Sequence, residues 1–144
     1  MISRMDILLI LMGFVGSVAN AQQQPAPCKQ PIPYVGEELT PQLGYKPVSV
    51  RVVSGQVLDE SEAEMPQVCL GLFTEQNHNL VASAVTDDEG RFQFGGIPAG
   101  KYRLVVRVSG FYVADVPVRV LNGSRGRAKR SKPIIVYMQL PSVH

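Results

Sequence analysis

The sequence predicts an all-β protein, a seven-stranded two-sheet Greek-key sandwich that follows an N-terminal signal peptide and an extended tail. Three observations carry that expectation. Short Val-rich runs alternate apolar with polar residues at a period of two, as half-buried strands do. Clusters of Gly, Pro, Asn and Asp punctuate those runs, and no helical period occurs between them. About 120 residues remain after processing, enough for one domain with a core and too few for two.

Residues 1–21 predict the signal peptide. Arg4 gives a positive start, Ile7 to Val15 an apolar run short for a bilayer, and Ala19-Asn20-Ala21 an A-x-A cleavage signal. A retained anchor is the competing reading, and Asn20 with Gln22, Gln23 and Gln24 speaks against it by ending the apolar stretch early. The chain is therefore expected in the periplasm or outside the cell, with no transmembrane helix once the signal is removed. Residues 22–47 are rich in Pro and Gln without a sustained period, and predict an extended tail.

Residues 48–140 are expected to form the sandwich, and 141–144 a short C-terminal tail. The first strand, 48–59, needs a bulge near Ser54-Gly55, because Val50 and Val52 keep one parity while Val53 and Val57 keep the other. In the second, 66–75, Val68, Leu70 and Leu72 take the core face and leave Cys69 outward. The third spans 80–86. Asp87, Asp88, Glu89 and Gly90 then make a tight turn into the fourth, 91–95, where Phe92 and Phe94 alternate with Arg91 and Gln93. Gly95 to Gly100, with Pro98, turns again into the fifth, 101–109, with Tyr102, Leu104, Val106 and Val108 on one face and Arg103, Arg107 and Ser109 on the other. The sixth, 113–121, points Ala114, Val116, Val118 and Val120 inward; Pro117 lies on its outer parity and predicts an edge or a bulge. The last, 133–140, presents Ile134, Val136, Met138 and Leu140 to the core.

Two cysteines in an exported chain meet an oxidising compartment. Cys28 in the tail and an outward Cys69 either pair, laying the tail across the sheet, or remain free thiols with Cys69 as a small packing residue. The compartment favours the bridge, which would stabilise the fold by roughly 3 to 4 kcal/mol through a loop of about 40 residues.

The run Thr86-Asp87, Gly90-Arg91-Phe92, Ile97 to Leu104 and Gly110-Phe111 resembles the carboxypeptidase regulatory-like domain, and Gly55, Val57, Asp59, Pro66 and Val68 to Leu70 match the opening of that pattern. The resemblance covers about Val48 to Leu140. Gln67, where the family often has a small residue, and the basic insertion near the end depart from it. It implies a prealbumin-like sandwich without catalytic residues. The enzymes that share this architecture are not matched: the chain lacks room for a zinc peptidase domain and does not end in the Tyr-Arg-Gly-Ser of hydroxyisourate hydrolases. Its first strand has no Lys and its last no Asn for the isopeptide bond of pilin-like modules.

No catalytic constellation is expected, nor any cofactor or metal. His78 lies in a turn and His144 ends the chain, neither with a second histidine at ligand spacing. No serine sits in G-x-S-x-G or S-x-x-K. Asp87 to Gly90 lacks the alternating oxygen ligands of a calcium loop and predicts a turn. A net charge of +2, unchanged when Arg4 and Asp6 leave together, implies no nucleic-acid partner.

Binding roles remain, with a protein or glycan partner. Phe111 and Tyr112 are the candidate sugar platform; against it, the family's Gly-Phe/Tyr pair serves as a packing corner. Charge gives the other candidate. Antiparallel succession should place the acidic loop 59–64 and the turn 87–89 at one pole, and Arg125, Arg127, Lys129, Arg130 and Lys132 at the opposite one. Such a pole suits an anionic surface, or else is a solvated loop that guards a sheet edge.

Overall fold

The computed structural model describes residues 28–29, 32–34, 45–122 and 131–141. The signal peptide, most of the tail, Arg125, Arg127, Lys129, Arg130 and His144 lie outside the described residues.

The first apolar run divides into β1 (Val48–Val50) and β2 (Val53–Leu58). The predicted bulge at Ser54-Gly55 is not where the parity changes. β2 alternates buried and half-buried residues without a break, and the switch falls at Arg51 and Val52, where Val52 turns out to solvent between buried Val50 and Val53. Eight strands result from the seven expected runs because the chain changes sheets there. Gly55 serves a different purpose: a Cβ on it would collide with the backbone carbonyl of Ile134, so only glycine lets the last strand lie against β2.

The remaining strands are β3 (Cys69–Thr74), β4 (Leu80–Val85), β5 (Arg91–Phe94), β6 (Gly100–Arg107), β7 (Ala114–Val120) and β8 (Ile134–Tyr137). A five-stranded sheet has the order β1-β7-β6-β3-β4, and a three-stranded sheet the order β5-β2-β8. β1 runs parallel to β7 and β2 parallel to β8; the other pairs are antiparallel. Pro117 fits this arrangement because β1 reaches only Val118 to Val120, so the proline sits where β7 has β6 alone as a strand neighbour.

Between the sheets lies the main core. Val68, Leu70, Leu72, Phe92, Phe94, Leu104, Val106, Val116, Val118, Ile134, Val136 and Met138 are buried in it, as their parities predict. Leu140 is the exception, 51% exposed. The β2–β8 ladder closes with the Met138 N–H on the Leu58 carbonyl, after which the Leu140 N–H donates to Glu60 Oε1 at 2.7 Å and carries the side chain away from the core.

A second, smaller core lies on the outer face of the five-stranded sheet. Phe73, Val105 and Val113 are buried there beneath Ile32, with Tyr34 and Cys69 packed against them. The tail reaches this face through a disulfide between Cys28 and Cys69, whose Cα atoms are 5.6 Å apart. Of the alternatives open in the sequence, the bridge is the one found.

Candidate functional site

The acidic residues gather at the end of β2 that carries Leu58. Asp59 Oδ1 accepts from the Ser61 N–H (2.8 Å), the Ser61 hydroxyl (2.7 Å) and the Ala63 N–H (2.9 Å), which folds the loop 59–64 on itself. Asp87 Oδ1 does the same for its turn, accepting from Glu89 and Arg91 N–H groups at 2.9 Å each, while Gly90 takes a φ of 72°. The two are joined: Val57 N–H donates to the Gly90 carbonyl, Met65 N–H to the Val57 carbonyl, and Gln56 Nε2 to the Glu89 carbonyl. They share one pole, as expected.

Those hydrogen bonds hold the Asp59 carboxyl below its ordinary range, the Ser61 hydroxyl first and the Ala63 amide second. A lowered folded-state value means the contribution is present at neutral pH and is lost as pH falls through that value. Acidification should therefore open this loop before the sandwich. Protection of the Ser61 and Ala63 amides, taken relative to the intrinsic exchange rate at each pH, should fall at low pH while that of Leu72 stays high, and equal protection at both pH values would contradict the carboxylate's role.

At the other end of β2, Arg51 and Val52 N–H groups donate to Ser131 Oγ at 2.7 and 3.1 Å, and Leu121 N–H donates to the Val50 carbonyl. The two stems of the basic loop thus stand beside the sheet switch. Lys132 is exposed on one of them. A shallow groove of about 310 Å³ adjoins, lined by Arg51, Val52, Val53, Gln93, Phe94 and the 95–97 turn.

Phe111 and Tyr112 are both half-buried. Phe111 packs on the main core, and Tyr112 N–H donates to the Gln139 carbonyl at 2.8 Å. His78, expected as a solvated turn residue, is exposed but stacks its ring on Tyr34 at 3.7 Å between centroids, with Phe73 edge-on to Tyr34 at 5.3 Å. Asp115, on the outer parity of β7, is 5% exposed; the Tyr34 hydroxyl lies 3.4 Å from Oδ2 and Arg103 lies 3.7 Å from Oδ1. Among the described residues, no three His, Cys, Asp or Glu side chains cluster as metal ligands, and no helix is long and apolar enough to cross a membrane.

The site missed in the sequence is a second groove, of about 500 Å³, lined by residues 64–69 and 107–109. The signal for it was Gln67, the departure noted in the motif: it adopts a left-handed φ of 55° and bends the chain out of β3.

The family model of the carboxypeptidase regulatory-like domain matches residues 52–129. Among solved structures, the chain is similar to the major pilin subunit BcpA of Bacillus cereus, at 18% identity and a TM-score of 0.44, over 63% of this chain and 28% of that one. It is similar to a 5-hydroxyisourate hydrolase of Klebsiella pneumoniae, at 20% identity and a TM-score of 0.47, over 63% of this chain and 91% of that one. It is also similar to 3-chlorocatechol 1,2-dioxygenase of Rhodococcus opacus 1CP, at 13% identity and a TM-score of 0.46, over 76% and 70%. No curated protein matches the chain.

Proposed function

Because the chain belongs to the carboxypeptidase regulatory-like domain family, we propose that it is an exported, non-enzymatic β-sandwich acting as an interaction or adaptor module, in the periplasm or outside the cell. Its docking element is the basic pole. What supports this reading is the placement of the acidic loop 59–64 and the turn 87–90 at the Leu58 end of β2, and of the stems that flank the basic segment at the Val53 end. In sequence, Arg125, Arg127, Lys129 and Arg130 fall between Asn122 and Ser131, and Lys132 follows Ser131. A molecule of net charge +2 carries five cations within eight residues of sequence, 125–132, a density that suits an anionic surface such as lipid headgroups, polysaccharide or an acidic protein. The disulfide supports export, since such bonds persist in oxidising compartments.

Replacing all five residues with Gln tests the reading. The native protein should bind vesicles containing anionic lipid, or a soluble polyanion, at low salt and weaken as salt rises. The variant should bind at least about tenfold more weakly, because each basic side chain near an anionic membrane contributes about 1 kcal/mol. Unchanged binding in the variant, or salt-insensitive binding by the native protein, would end the proposal.

A further inference from the structure

The topology brings several strand ends to the pole where the stems that flank the basic segment stand. β1 ends and β2 begins there, β3 turns into β4, β5 turns into β6, and β7 closes at Val120. Of the seven large apolar side chains exposed among the described residues, Val52, Leu80, Val81 and Leu121 lie at this end, so the exposed apolar surface is concentrated there. Val52 and Leu121 adjoin the stems. Leu121 N–H donates to the Val50 carbonyl at 2.8 Å and Val52 N–H to Ser131 Oγ at 3.1 Å. These bonds fix the backbone that holds the two side chains in solvent, at 44% and 40% exposure, while Val50, Val53 and Val120 beside them are buried.

Cations border this apolar surface. Lys101 stands directly opposite Arg119 in the β6–β7 ladder, one pair in from the end at Gly100 and Val120. Their neighbours Tyr102 and Val118 are buried in the main core, so Lys101 and Arg119 project together from the outer face, and both are exposed. Like charges directly opposite one another cost a sheet stability. The ion pairs among the described residues, Arg91–Glu89 and Arg103–Asp115, include neither. Glu75 is the described acid at this end; its N–H donates to the Lys101 carbonyl, and its carboxylate is in neither of those pairs. Lys132 is exposed on the stem and Arg51 half-buried beside Val52. An arriving anion would relieve the repulsion between Lys101 and Arg119.

We propose that this end of the sandwich docks on an anionic lipid bilayer, with Val52 and Leu121 entering the interfacial region and Lys101, Arg119 and Lys132 meeting headgroup phosphates. The bilayer rests on the docking reading above and narrows it by chemistry. A soluble polyanion or polysaccharide satisfies the cations and leaves the two aliphatic side chains in water. A bilayer takes both, with the charges at the level of the phosphates and the apolar groups at the acyl boundary. Neither signal holds a protein on a membrane alone: two aliphatic side chains bury little area, and the cations without them are screened by salt.

The test uses the disulfide-bonded protein with vesicles of phosphatidylcholine and phosphatidylglycerol in equal parts, and with dextran sulfate as a soluble polyanion. The chain has no tryptophan, so Leu121→Trp places a single reporter at this pole. Leu140→Trp places one at the opposite end, where Leu140 is 51% exposed and its N–H is held by Glu60. Emission of Leu121→Trp should move to the blue on the vesicles and stay unchanged on dextran sulfate, and that of Leu140→Trp should stay unchanged on both. In a chain without tryptophan, Val52→Ser combined with Leu121→Gln should co-sediment with the vesicles at least about tenfold more weakly while binding dextran sulfate as the native protein does, the loss expected when the apolar area of both side chains stays in water. Both positions are exposed, so the fold should be kept. Vesicle binding without a blue shift at Leu121→Trp, an equal shift at Leu140→Trp, or undiminished vesicle binding by the double variant would overturn the insertion and leave the charge-based docking standing. Binding to dextran sulfate with none to the vesicles would overturn the bilayer as the partner. Binding to neither would overturn the docking reading itself and the bilayer with it.

Discussion

Phe92→Ala should lower the unfolding free energy by about 3–5 kcal/mol, the cost of deleting a large buried aromatic whose site cannot collapse. Phe92 is 4% exposed and stands opposite Gly55, with Ile134 on Gly55's other side. The inner row across the three-stranded sheet is thus Phe92–Gly55–Ile134, and its middle member has no side chain to move into the vacancy. Gly55 cannot be enlarged in compensation, because the Ile134 carbonyl occupies the space. Phe94, edge-on at 6.2 Å between ring centroids, would lose its partner as well. Urea or guanidinium unfolding of the oxidised protein measures the effect. A loss below about 1 kcal/mol would contradict the inner-face placement of Phe92.

The parity that identifies Phe92 as a core residue is legible because a strand buried on one face has only one register that hides its apolar set. The same logic places Leu70, Leu72, Leu104, Val106 and Val116, all buried. It fails at Leu140, where a side-chain oxygen of Glu60, remote in sequence, takes the backbone N–H and redirects the chain. It also fails at the first apolar run, since a change of parity shows that the strand breaks but not that its halves join different sheets. The outer core had a signal that alternation alone could have raised: Phe73, Val105 and Val113 are apolar on the outward parity, between Arg103 and Arg107 in the case of Val105. Apolar residues on both faces mark a strand covered on both. What covers them was beyond reach, because Ile32 and Tyr34 sit in a Pro/Gln-rich tail with no period of its own. The shared pole of the acidic loop and the 87–90 turn follows from strand succession, whereas the groove at Arg107 depends on one backbone angle at Gln67.

Removing the disulfide should cost about as much as losing Phe92. Cys28 and Cys69 are separated by 41 residues, and closing a loop of that size stabilises by about 4 kcal/mol on the chain-entropy model. Enthalpy adds to it here, because the bridge delivers the tail to a sheet face that holds buried Phe73, Val105 and Val113. Once Cys28 is released, Tyr34 must hold that face by its contacts with Phe73, His78 and Asp115 against the entropy of an untethered tail. The Cys28→Ser and Cys69→Ser variants should therefore each be destabilised by several kcal/mol, on the order of that loop term. Tyr34→Ala should cost at least about 1 kcal/mol when the bridge is intact and much less when it is absent, a coupling that a double-mutant cycle reads directly. The native protein should resist alkylation under denaturing conditions until reduced, and its mass should be about 2 Da below the reduced form, as one S–S bond requires. Two cysteines alkylated without prior reduction would rule out the bridge. Full additivity of Tyr34→Ala with Cys28→Ser would mean that the bridge acts on the unfolded chain alone and does not hold the tail on the sheet.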